Sequence, residues 1–266
     1  MALRLTALWL SPSIEPQAEL FAKFLRDAPS PIPILGLFGE DEEGTVAAAS
    51  KFGDRVPVIT IGNGPASPGS LTVLSGVRPE LERYQGDIDV DRLFATLGEK
   101  SIATIWCSDG DNIQFQINRG FGNFPWDEVQ GYRFGWTINP TLADLAPLVW
   151  NHYVESTSEV SLVSGLSGAG YMYPLLMNET QLQAYLEYAY QYLEETGLRV
   201  IHVDNRFGPI FALGDDIAQL YYNSLREAVP RRLRRFLRLA LGHRLPLRRG
   251  SNPNGSTIVC NMDWSE

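Results

Sequence analysis

Apolar positions in this chain fall in short, nearly continuous runs, and the stretches between them carry helical spacing. Residues 3–10 read as a strand. Residues 17–26 follow as a helix with Leu20, Phe21, Phe24 and Leu25 on one face. Further strand-like runs occupy residues 32–38, 56–61, 102–107, 132–137, 160–163 and 198–203. Helical patterns lie at 89–97, from Asn139-Pro140 onward, from Pro147 to about 156, at 178–195 and at 216–228. Asn139 suits an N-cap and Pro140 the first helical position, which together favour a start there. Asn178 caps its helix more strongly, because Gln181 stands three residues on and completes a capping box. That helix has Leu182, Tyr185, Leu186, Ala189 and Leu193 on its apolar face and ends at Gly197.

Continuous apolar strands alternating with amphipathic helices predict an α/β fold whose parallel sheet is covered by helices. Seven strands are one short of a (β/α)8 barrel, so a barrel of this chain is seven-stranded or incomplete. A further apolar run at 256–260 adds a possible strand. The length of 266 residues suits one α/β barrel, here a barrel-like domain over residues 1–230. Neither a dinucleotide glycine fingerprint nor a phosphate-binding Walker A loop follows the first strand, so no nucleotide cofactor is expected. With 44% hydrophobic and 20% charged residues the composition is that of a globular protein. No apolar run approaches the roughly 20 residues of a membrane-spanning helix.

The net charge of −9 is unevenly placed. Residues 1–230 carry 14 Lys and Arg against 29 Asp and Glu, while residues 231–266 carry 8 against 2. The basic stretch, opening Arg231-Arg232-Leu233-Arg234-Arg235, reads as a disordered or solvated tail. It is open to two other readings: a tail binding nucleic acid or a membrane surface, or a non-native segment of the Arg/Leu bias that out-of-frame translation gives. It is left out of the functional argument, which expects no nucleic-acid partner. Cys107 and Cys260 form no disulfide framework, and His152, His202 and His243 have no ligand spacing. Cys107 and His202, each inside an apolar run, read as core. Gly165-Leu166-Ser167-Gly168-Ala169 breaks the G-x-S-x-G nucleophile elbow at its last position.

The densest stretch of candidate chemistry is Ser164-Gly165-Leu166-Ser167-Gly168-Ala169-Gly170-Tyr171-Met172-Tyr173-Pro174. Three glycines in six residues let a ligand approach the backbone, and two tyrosines follow. A tight strand-to-helix turn with core tyrosines is the plain alternative. Gly168-Ala169-Gly170-Tyr171-Met172-Tyr173-Pro174 matches the G-x-G-Y-x-Y-P signature and resembles the GxGYxYP glycoside hydrolase family. Ser108-Asp109-Gly110-Asp111-Asn112 is similar to that family's S-D-G-D-N segment, and residues 139–147 to the segment between the two. The resemblance covers about residues 100–205. It implies a TIM-like barrel, hydrolysis of a carbohydrate, and a location outside the cytoplasm. The apolar stretch at 5–10 is shorter than the roughly 7–15 residues of a secretory signal, so a fragment of a longer enzyme is expected.

In a barrel, chemistry gathers at the C-terminal ends of the strands. Hydrolysis of a glycosidic bond needs two carboxyl groups across it, held in environments that keep their protonation states different. Asp109 or Asp111 from one strand end, paired with Asp204 from another, meets that need; an Asp after a strand is also a common turn former or helix cap. Asn112, Asn139, Asn205 and Arg206 suit sugar hydroxyls. Trp126, Tyr171 and Tyr173, with Gly168 and Gly170, suit the apolar faces of sugar rings. Trp106 and Trp136 are as fit for the core. Asp109-Gly110-Asp111 also resembles the DxD of metal-dependent glycosyl or phosphoryl transferases. Ile113 stands where a calcium loop would continue, and no metal site is assigned. A non-catalytic carbohydrate-binding protein is the remaining alternative.

Overall fold

A computed structural model describes residues 8–28, 32–36, 42–55, 58–59, 68–86, 106–107, 110–117, 126, 131, 133–203 and 258–261. In chain order its elements are α1 (Glu15–Asp27), β1 (Ile34–Leu35), α2 (Glu42–Ser50), β2 (Val58–Ile59), α3 (Pro68–Leu74), β3 (Trp106–Cys107) and β4 (Gly135–Ile138). Then follow α4 (Leu142–Leu145), α5 (Pro147–Ser156), β5 (Ser161–Ser164), a 3-10 turn (Pro174–Leu176), α6 (Glu179–Thr196), β6 (Val200–Val203) and β7 (Ile258–Asn261). Strands and helices alternate over most of this order, and the protein is a mixed α/β fold with a parallel sheet. Among the described residues, β1 and β2 form one parallel pair, and a five-stranded sheet runs β3-β4-β5-β6-β7.

Pairing is parallel from β3 to β6, with Trp136 against Leu162 and Ser164 against Ile201. The expectation of parallel strands alone is corrected at the far edge. There β7 pairs antiparallel with β6, Val200 against Asn261 and Val203 against Ile258. Residues 8–10, the described part of the first expected strand, are not a strand, and Trp9 is 85% exposed. The helices expected at 89–97 and 216–228 lie outside the described residues, as does closure of a barrel.

Trp136, Ile138 and Leu162 from β4 and β5, with Ile201 and Val203 from β6, anchor the core. Trp150 and Tyr153 of α5 and Leu182, Tyr185, Leu186, Ala189 and Leu193 of α6 are buried with them. The apolar face foreseen on α6 is thus the one that packs. On α1 only Phe21 and Leu25 of the expected four are buried, while Leu20 and Phe24 stay exposed.

An extended strap, residues 77–86, crosses α5 and the end of α6. Glu82 N donates to Asn151 Oδ1 at 2.9 Å, Asn151 Nδ2 to Glu80 O at 2.7 Å, and Trp150 Nε1 to Glu82 O at 2.7 Å. Tyr84 N donates to Thr196 O at 2.8 Å, and the Tyr84 hydroxyl accepts from Leu162 N at 3.1 Å. The hydroxyl therefore serves a strand position on β5, upstream of the Ser164–Ile201 pairing.

Candidate functional site

Parallel strands end on the same edge of a sheet, so β3, β4, β5 and β6 end on one rim. The segment after β3 holds the acidic turn. Gly110 sits in it with almost no room: a Cβ there would run into the Thr137 backbone of β4. From the other side, a Cβ on Gly165 would stand 2.6 Å from the Gly110 carbonyl carbon. The turn is clamped between the ends of β4 and β5, and glycine at both positions is what permits the approach.

Side chains then fix the turn's backbone. Thr137 Oγ1 accepts from Gly110 N at 2.9 Å and donates to Cys107 O at 2.7 Å. Gln116 Nε2 donates to Gly110 O at 2.7 Å, and Gln116 Oε1 accepts from Asn139 N at 3.4 Å. Asn139 Nδ2 reaches Asp111 O at 3.3 Å, and the Tyr153 hydroxyl donates to Gln116 O at 2.7 Å. Apart from the part-buried bond to Cys107 O, these are buried polar groups that have found partners, as burial demands.

Of the expected site residues, this network brings Asp111 and Asn139 together. Asp111 is 6% exposed. Asn139 is fully buried, and its Oδ1 accepts from Thr141 N at 3.0 Å and Thr141 Oγ1 at 2.8 Å. The helix expected to begin at Pro140 instead begins at Leu142, because Asn139 is used to close the turn before it. Asn112 is half-buried, with its Oδ1 accepting from Phe115 N at 3.2 Å, and so caps the helical turn that Ile113 enters. Asp109, Asp204, Asn205 and Arg206 lie outside the described residues.

The glycine-tyrosine loop lies inside the protein. Ser167 has φ 63° and Gly168 φ 123°, a left-handed pair that costs a non-glycine residue free energy. Hydrogen bonds hold it there: Ser167 Oγ donates to Met172 O at 2.8 Å, Ser167 N to His202 O at 2.6 Å, and Ser164 Oγ to Gly168 O at 2.9 Å. Tyr185 OH donates to Gly170 O at 2.9 Å. Tyr171 and Tyr173 are buried, their hydroxyls 3.1 Å apart and their rings edge-on at 5.5 Å. Tyr173 N donates to Ser50 Oγ of α2 at 2.8 Å. Trp126 is likewise buried, edge-on to Trp136 and Tyr153, with Nε1 donating to Ser156 Oγ at 2.8 Å.

Residues 99–236 match the GxGYxYP putative glycoside hydrolase C-terminal domain. The chain belongs to that family. In this GxGYxYP protein, the named motif is therefore the buried loop behind the rim, and Gly110-Asp111 of the S-D-G-D-N segment lie in the clamped turn. No curated protein matches the chain. Among solved structures it is similar to a putative hydrolase from Bacteroides thetaiotaomicron VPI-5482, at 26% identity with a TM-score of 0.57. That match covers 70% of this chain and 35% of the other, so this chain spans about a third of that protein's length.

Thr137, Gln116 and Tyr153 were not among the residues singled out from the sequence. Gln116 lies in no motif, and Thr137 was visible only as the last residue of an expected strand. Among the described residues, no group of three His, Cys, Asp or Glu side chains could hold a metal ion, and no helix is long and apolar enough to cross a membrane.

Proposed function

We propose that this GxGYxYP protein acts as a glycoside hydrolase on a carbohydrate. One carboxylate comes from the acidic turn, Asp109 or Asp111, and the other from Asp204, which follows β6 directly in sequence. The observation that carries this reading is the seating of Asp111 in a clamped, buried turn on the sheet rim of a chain from this family. A carboxyl group carried on a backbone held that firmly suits chemistry in which small misplacements are costly. Asn112, Asn205 and Arg206 would serve sugar hydroxyls. Asn139, Trp126, Gly168, Gly170, Tyr171 and Tyr173, buried behind the rim, would shape the wall that supports them. Parallel pairing from β3 to β6 supports reading residues 1–230 as a TIM-like barrel, and antiparallel β7 takes the ladder position a parallel neighbour of β6 would use.

A panel of aryl glycosides and polysaccharides tests the reading. Turnover is expected on at least one member. Asp109→Asn or Asp111→Asn, and separately Asp204→Asn, should lower kcat by about 10²-fold or more, as loss of a general acid or base does. EDTA should leave the rate unchanged. Full activity in all three variants would sink the two-carboxylate mechanism. A strict divalent-cation requirement would favour a metal-dependent transferase. Glycan affinity without turnover, surviving each Asp→Asn change, would favour a binding protein.

A further inference from the structure

We infer that Thr137 and Gln116 are positioning residues for the acidic turn; their catalytic meaning rests on the hydrolase reading above. Gly110 is the residue between Asp109 and Asp111, and both of its backbone polar groups are held by side chains from outside the turn. Thr137 Oγ1 takes its N–H and Gln116 Nε2 its carbonyl, at 2.9 and 2.7 Å. The same Thr137 hydroxyl donates to Cys107 O at 2.7 Å. One hydroxyl thus ties the two residues, Cys107 and Gly110, that bracket Ser108-Asp109 in the sequence. Gln116 is fully buried and Thr137 nearly so, so water cannot replace either side chain cheaply. Gly165, from the loop after β5, packs on the Gly110 carbonyl carbon and closes the third side.

The elements that make up this clamp are themselves rigidly held. Thr137 lies within β4, paired to strands on both sides. Gln116 is held through its own carbonyl by Tyr153 of α5 and through its Oε1 by Asn139 N. Locked supports are what a catalytic carboxylate needs, because an error of about 1 Å in its position can cost about 10²-fold in rate. Gly165 is itself fixed at the end of β5, where its N–H donates to Ile138 O at 2.9 Å.

Three variants of the full chain test the inference: Thr137→Val, which removes the hydroxyl at constant volume, Thr137→Ser, which restores it, and Gln116→Glu, which removes the donor to Gly110 O when ionised. The readouts are amide hydrogen exchange at Gly110 and hydrolysis of the glycoside panel. Thr137→Val should speed Gly110 exchange by about tenfold and lower kcat by about tenfold or more with KM nearly unchanged. Thr137→Ser should bring both back to within about threefold. Gln116→Glu should lower kcat in the same way, and it carries the test if Thr137→Val fails to fold. Wild-type exchange and kcat in Thr137→Val, or no rescue by Thr137→Ser, overturns the positioning role. If the Asp→Asn variants are inactive while Thr137→Val is fully active, only the positioning role falls. If the Asp→Asn variants keep full activity, the two-carboxylate mechanism falls and takes the inference with it.

Discussion

Three tyrosine hydroxyls, two of them buried and that of Tyr84 partly so, hold backbone groups. Tyr153 holds Gln116 O, Tyr185 holds Gly170 O, and Tyr84 takes Leu162 N. Burial, the largest influence on each, pushes all three phenols above the ordinary value of 10.0. In the unfolded chain they would ionise near 10, so above that pH the folded state holds protons that the unfolded state has released. Stability contributed by these groups is therefore complete below about pH 10 and declines as pH rises further. Urea unfolding across that range should show a flat midpoint below pH 10 and a falling one above it. Tyrosinate absorbance of these residues should appear only with unfolding. A midpoint that holds steady to well above 10 would contradict the burial. At this scale the sequence was readable where chemistry is local, as with Asn178 and Gln181. It was unreadable at Gln116, whose side chain and carbonyl find their partners 6 to 37 positions away.

Among elements, α6 was legible almost to the residue, because its start, face and stop are all written within its own length. Asn178 Oδ1 accepts from Gln181 N at 2.9 Å, Gln181 Oε1 accepts from Asn178 N at 3.0 Å, and Gly197 closes the helix at φ 78°. Gln181 also donates to Lys51 O at 2.6 Å, which fastens this helix start to the turn after α2. Asn178→Ala should cost about 1 kcal/mol in urea unfolding, the usual cost of a lost N-cap. A change below a few tenths would mean that solvent replaces the cap without loss. By contrast, α1 showed its period but not its partner. Leu20 and Phe24 sit about 100° around the helix from Phe21 and Leu25, and only the second pair is covered. Strand direction at β7 was also hidden, since a short apolar run carries no mark of parallel or antiparallel pairing.

Taken whole, the molecule ties its early and late residues together by specific hydrogen bonds. The family match begins at residue 99, yet donors and acceptors inside the matched part are answered from before it. Leu162 N needs the Tyr84 hydroxyl, Trp150 Nε1 and the Asn151 amide need the backbone of residues 80–82, and Tyr173 N needs Ser50. Each of these bonds contributes about 0.5–1.5 kcal/mol net, a sizeable share of the roughly 5–15 kcal/mol by which a domain is stable. The segment 99–236 made alone should lack the single cooperative urea transition of the full chain; an equally sharp transition at the same midpoint would show that these ties are dispensable. What is inherited as a recognisable unit and what folds as one are cut at different places here. A graft, a fusion or an expression trial that follows the hereditary boundary would carry off the signature loop and leave its fastenings behind.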